Sequence, residues 1–165
     1  MEIFILRHGE AGKSLSVRSK DIERSLTAEG KEELEEVARA LSRLKVRPDH
    51  VVSSPLKRAR ETASITAKTL KKRDTVEIWD ELKPEGSKQE LYKRLSRMKQ
   101  ESSVLCVGHE PYLTQMINEV MGHQGASRIV LRKSGVARLS IRAFTPKVEG
   151  ELRWLLTPRL LKRMS

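Results

Sequence analysis

The feature that most constrains this chain is an alternation. Short apolar, often β-branched runs recur between longer amphipathic stretches, and no repeat, low-complexity tract or Gly/Ser/Pro-rich linker interrupts the pattern. The runs Ile3–Leu6, Val51–Val52, Val76–Ile78, Val104–Val107, Val136–Ile141 and Leu152–Leu156 read as strands. Between them, Leu34, Val37, Ala38, Leu41 and Leu44 fall on one helical stripe while Glu32, Glu33, Glu35 and Glu36 face water, with Thr27 as cap and Glu29 in the first turn. Ser54 and Pro55 predict the start of a second helix through Leu56, Ala59, Ala63, Ala67 and Leu70. Leu91 to Met98 predicts another, and a further helix opens at Pro111, carries Leu113, Met116, Ile117 and Val120, and stops at Gly122. Strands that alternate with helices predict an α/β fold, a three-layer α/β/α sandwich around a largely parallel sheet. At 165 residues the chain suits a single domain spanning 1–165.

Ligands in such sheets gather beyond the carboxyl ends of the strands. Three predicted strand ends carry the chemistry: Arg7-His8-Gly9-Glu10, Ser54-Pro55-Leu56-Lys57-Arg58 and Gly108-His109-Glu110-Pro111. A guanidinium offers paired donors that match phosphoryl oxygens and stays cationic at any relevant pH, so Arg7 and Arg58 would offset a phosphate dianion. An imidazole beside them is disfavoured from taking a proton and keeps one nitrogen free to attack, while the other needs a partner, a backbone carbonyl, to fix the tautomer. A second imidazole opposite can donate to oxygens as charge spreads over them in a loose transition state. Gly9 and Gly108 leave room for the backbone to approach closely beside both histidines.

Other chemistries fit less well. Gly12-Lys13-Ser14 resembles the end of a P-loop, but Arg7 stands where that loop needs glycine. The lone cysteine, Cys106, allows no internal disulfide, and Tyr112 occupies the position where a cysteine phosphatase carries arginine. No HExxH or tight His/Asp cluster appears, and the arginines would repel a cation, so neither metal nor cofactor is expected. The apolar start Ile3–Leu6 is cut by Arg7, too short for a signal-peptide core or a span, which leaves a cytoplasmic enzyme or binding module.

Charge adds a further hint. Net charge is +11, of which His123–Ser165 carries +8, from ten basic and two acidic residues. A basic patch invites an acidic partner, though a solvated surface explains it equally. With aromatics at 4% and no recognition signature, nucleic acid is not the expected partner.

At these residues the sequence resembles the histidine phosphatase superfamily, also called phosphoglycerate mutase-like. Arg7-His8-Gly9 is similar to its name-giving motif, Ser54 through Ala59 with Thr62-Ala63 to its second, and Gly108-His109-Glu110 to its third. Length, Arg24-Ser25-Leu26-Thr27 with Gly30, and the Trp154–Pro158 ending resemble the short SixA-type phosphohistidine phosphatases. The resemblance implies a phosphoglycerate mutase-like fold with His8 as phosphorylated nucleophile, Arg7, Arg58 and His109 around the phosphate, and Arg24 at the rim. Arg24 as a plain surface charge stays open.

Larger members carry an acidic proton donor between the second and third motifs. Here the available carboxylates are Glu81 and Glu85, neither of which aligns with that donor, and a solvated loop accounts for both. An alkoxide needs a proton to leave, whereas an imidazole leaving a phosphoramidate can already be protonated on its far nitrogen. The expected substrate is therefore phosphohistidine on a phosphorelay protein, with the enzyme a monomer. A small-molecule phosphatase or pyrophosphohydrolase of the same superfamily, and a non-catalytic phosphate-binding module, remain alternatives.

Overall fold

A computed structural model of the chain describes residues 1–13, 21–72, 76–123 and 129–165. Ser14 of the Gly12-Lys13-Ser14 stretch and residues 124–128 of the basic C-terminal third lie outside the described residues. The elements run β1 (Glu2–Arg7), α1 (Ala28–Arg43), β2 (His50–Ser53), α2 (Lys57–Thr69), β3 (Glu77–Ile78), a 3-10 turn (Asp80–Leu82), α3 (Lys88–Leu95), β4 (Ser103–Gly108), α4 (Tyr112–Val120), β5 (Val136–Ala143), β6 (Glu149–Leu156) and α5 (Pro158–Lys162).

The strands form one six-stranded sheet in the order β3-β2-β4-β1-β5-β6. The first four are mutually parallel, while β5 pairs antiparallel with β1, and β6 antiparallel with β5. Burial explains which part is parallel. In β1, Ile3 and Ile5 enter one core and Phe4 and Leu6 the other; in β4, Val104 and Cys106 separate from Leu105 and Val107 in the same way. Period-two alternation of apolar residues on both faces requires a helical layer on each side. Helices α1, α2 and α5 supply one layer and α3 and α4 the other.

Helix α1 begins as expected. Thr27 Oγ1 accepts from the Gly30 amide at 3.0 Å, and Leu34, Val37, Ala38 and Leu41 are buried. Leu44 departs from the stripe: it sits at the C-cap and is exposed, because the helix has ended before its side chain could turn inward. This start is tied to the loop after β1, since the Thr27 amide donates to the Glu10 carbonyl at 2.9 Å. Gly30 is required there, as a Cβ would lie 2.4 Å from that same carbonyl oxygen.

Helix α2 starts two residues later than Ser54-Pro55 predicts, with Leu56 at its N-cap position. The Ser54 hydroxyl does accept from the Leu56 amide at 3.3 Å, but its other contact reaches across the sheet end. Helix α3 likewise occupies Lys88–Leu95 rather than Leu91–Met98, because Ser87 caps it by accepting from the Glu90 amide. Helix α4 follows Pro111, and the left-handed Gly122, φ +70°, comes just beyond its end. Cys106 is fully buried, and burial pushes its thiol up to about 12, so it packs rather than reacts. No helix among the described residues is long and apolar enough to cross a membrane.

Candidate active site

The register aligns the three strand ends that carry the chemistry. Arg7 of β1 lies opposite Gly108 of β4, and Ser53 of β2 lies opposite Val107. One residue further on, the His8 amide donates to the Gly108 carbonyl and the Ser54 amide to the Val107 carbonyl. His8, Ser54 and His109 are thereby set on one rim of the sheet. The first residues of α2 deliver Arg58 to it.

His8 and His109 are both buried, with ring centroids 5.0 Å apart and planes inclined at 53°. His8 Nδ1 lies 2.8 Å from the Gly9 carbonyl oxygen, so Nδ1–H donates there and Nε2 carries the lone pair. Nε2 faces the buried Arg58, whose Nε–H donates to it at 3.3 Å. The Gly9 peptide is itself anchored: its amide donates to Thr62 Oγ1, which in turn donates to the Arg58 carbonyl one turn back. A Cβ at Gly9 would lie 2.6 Å from Leu34 Cδ1, so a side chain there would have to displace that buried leucine. His8, Arg58 and Thr62 of the second motif thus share one hydrogen-bonded unit through the Gly9 peptide.

Opposite, His109 Nε2 lies 2.8 Å from Ser54 Oγ. With the hydroxyl donating to Nε2, the other ring nitrogen carries the proton. Among the described residues, that His109 Nδ1 and Arg7 Nε are buried without a hydrogen-bond partner. Buried donors are costly unless paired, and an oxyanion is an acceptor of the kind each of these two lacks. Arg7 is held from behind: Nη1 donates to the Leu131 carbonyl, while the Ser134 amide donates to the Arg7 carbonyl.

Burial is the first reason the His8 imidazole stays neutral; Arg58, Arg7 and Arg24 add repulsion, and together they outweigh the Gly9 hydrogen bond and bring it down to about 4. The neighbouring positive charge that the sequence predicts as the cause thus ranks behind desolvation. His109 is lowered further, by burial and then by His8 and Arg58. A proton-detected NMR titration of the free enzyme is expected to show His8 neutral down to about pH 4; a midpoint near 6.5 would contradict the packing. The unfolded chain takes up this proton near 6.5 and the folded chain near 4, so the unfolded state binds more protons in between. Stability contributed by neutral His8 is therefore lost as pH falls through that window.

Arg24, the residue expected at the rim, makes no hydrogen bond to either histidine among the described residues. Its Nε donates to Asp21 Oδ1 at 2.9 Å, and Nη1 to the Ala11 and Gly12 carbonyls. Asp21 also takes Arg58, whose Nη1 donates to the Asp21 carbonyl at 2.9 Å and to Oδ2 at 3.2 Å. One carboxylate therefore orients both guanidinium groups, a role the sequence reading misses. Its only local signal is the Asp21/Arg24 spacing, because Arg58 lies far along the chain.

The two candidate proton donors come from the segment between β3 and α3. Glu81 receives Arg94 Nη1 on both carboxylate oxygens at 3.2 Å, and that guanidinium stacks 4.0 Å from the Trp79 ring centroid. Glu85 is exposed on the loop before α3. Glu10, following the first motif, pairs with Lys133 at 2.7 Å. Among the described residues, no three His, Cys, Asp or Glu side chains gather as a metal site would require.

The profile of the Histidine phosphatase superfamily (branch 1) matches residues 3–84, which include Arg7, His8 and Arg58. Phosphohistidine phosphatase SixA of Escherichia coli (strain K12) is 28% identical over 164 residues, covering 98% of this chain and 97% of the relative. The chain belongs to the histidine phosphatase superfamily. Its fold agrees with the structure of protein histidine phosphatase SixA complexed with tungstate, at TM-score 0.83 and 27% identity over 96% of this chain and 98% of that one. A mycobacterial glucosyl-3-phosphoglycerate phosphatase structure shares the superfamily fold at TM-score 0.75 and 15% identity, covering 93% and 97% of the two chains. The α/β sandwich is thus phosphoglycerate mutase-like, with the antiparallel pair β5–β6 at one margin.

Proposed function

We propose that this chain is a metal-independent phosphatase that works through a phosphorylated His8 and takes phosphate from phosphohistidine on a protein. The observation that carries the proposal is His8 itself. Its ring is neutral, its tautomer is locked by the Gly9 carbonyl, and its unprotonated Nε2 accepts from Arg58 Nε with His109 across the gap.

In the first step the His8 Nε2 lone pair forms a bond to phosphorus while the bond from phosphorus to the substrate imidazole breaks. The leaving ring keeps that electron pair and departs neutral if its far nitrogen already bears a proton. Arg7, Arg58 and His109 receive the three phosphoryl oxygens as charge spreads over them. Water then attacks phosphorus while the bond to His8 breaks and its electron pair returns to Nε2; one water proton passes to a phosphoryl oxygen, and dihydrogen phosphate leaves with the neutral imidazole restored.

The substrate class follows from the leaving group. General acid catalysis is worth roughly 10²–10⁴-fold where a poor leaving group needs a proton. With Glu81 engaged by Arg94, a phosphoramidate suits this site better than an alkyl ester. The likeness to SixA supports the same reading.

Purified protein given phosphohistidine peptides, p-nitrophenyl phosphate and sugar phosphates is expected to prefer the peptides by about 10²-fold or more in kcat/KM. Tungstate or vanadate should inhibit, and chelators should leave the rate unchanged. Efficient hydrolysis of sugar or nucleotide phosphates with phosphohistidine ignored would instead identify a small-molecule phosphatase.

A further inference from the structure

A groove of about 570 Å³ lies beside Arg7, lined among others by Glu10, Glu33, Arg132, Lys133 and Arg159. Its charges are not equivalent. Lys133 is neutralised by Glu10, which takes Nζ on both carboxylate oxygens at 2.7 and 2.8 Å. Arg132 and Arg159 are exposed, and among the described residues neither has a hydrogen-bond or ion-pair partner for its guanidinium. They come from separate elements, Arg159 from the first turn of α5 and Arg132 from the turn that leads into β5.

That turn is fixed to the active site. The Gly135 amide closes it by donating to the Arg132 carbonyl at 2.8 Å, and Ser134 adopts φ +58° with its amide donating to the Arg7 carbonyl at 3.1 Å. The Leu131 carbonyl meanwhile accepts from Arg7 Nη1. Arg132 therefore keeps a constant place beside the phosphoryl pocket, although its own side chain is untethered.

The contrast with Arg58 decides what the groove suits. A seat for a second phosphate requires guanidinium forks held in place, as Asp21 holds Arg58. Untethered, exposed arginines supply field and adaptable contacts, which steer an anionic surface toward the pocket and select its orientation.

We infer that this groove is the docking surface for acidic side chains flanking the phosphohistidine of a protein substrate, with Arg132 and Arg159 as its specificity-determining residues. The inference rests on the phosphohistidine reading above. It adds which face of the enzyme meets the partner and what that partner presents there.

The test uses two synthetic peptides that carry one phosphohistidine each, flanked by glutamates in one and glutamines in the other, with phosphoimidazole as a probe of the pocket alone. At low salt the parent enzyme is expected to prefer the glutamate peptide by about tenfold in kcat/KM, and the preference should shrink as salt rises. In the Arg132→Glu/Arg159→Glu protein the ratio between the peptides should fall to one or invert. No preference in the parent, or a preference that survives both substitutions or falls only in step with phosphoimidazole turnover, would overturn the inference. If phosphoimidazole and both peptides were inert while p-nitrophenyl phosphate was hydrolysed, the phosphohistidine reading would fail first and the docking surface with it.

Discussion

His8→Ala is expected to lose turnover by roughly 10⁶-fold, the scale on which removing a nucleophile acts when the remaining groups cannot replace it. The other groups stay in place. Arg58 is still held by Asp21, Arg7 by the Leu131 carbonyl, and His109 by Ser54, so the pocket keeps its anion donors. The variant should therefore still bind tungstate while failing to turn over substrate. Truncating a buried ring also leaves a small cavity, so calorimetric unfolding accompanies the kinetics to establish that the protein is folded. A folded variant retaining a tenth of the activity would mean that water attacks the substrate directly, with no enzyme-bound intermediate.

Arg58→Ala is expected to cost roughly 2–4 kcal/mol in transition-state stabilisation, or about 30- to 1,000-fold in kcat/KM. Arg58 is buried, faces His8 Nε2, and would offer its fork to the phosphoryl oxygens. Arg58→Lys should recover little, because an ammonium cannot reproduce the paired planar donors that meet both His8 and Asp21. Arg24→Ala should cost about 1 kcal/mol or less, since Arg24 acts through Asp21 and the Ala11 and Gly12 carbonyls rather than on the phosphoryl group. Steady-state kinetics on the three proteins separates these roles. Equal, mild losses at Arg58 and Arg24 would contradict the arrangement described.

The parts of this molecule that are legible in its sequence are those encoded locally. Strands β1 and β4 announce themselves because both faces are buried and every residue from Ile3 to Leu6 and from Val104 to Val107 is apolar. The three strand ends carry arginine and histidine in short, distinctive runs, so His8, Arg58 and His109 stand out as a set from the sequence alone. What escaped depends on contacts between distant residues. Ser54 has the composition of a helix cap, yet its hydroxyl also contacts His109, and α2 starts two residues later. Asp21 looks like an ordinary charge until the fold brings Arg58 to it. Leu44 fits the α1 stripe by spacing but lies past the end of the helix. The leading cause of His8 neutrality escapes the sequence for the same reason, because burial is a property of the packed molecule and is invisible in a list of neighbouring charges.

The central claim is a covalent bond between His8 Nε2 and phosphorus. Rapid acid-free quenching of the enzyme during turnover of a ³²P-labelled phosphohistidine peptide, followed by peptide mapping, tests it most directly. The account predicts transient label on His8 that is stable to alkali and lost in acid, and absent from His8→Ala. Turnover with no label on the protein, or with label on any other residue, would contradict it.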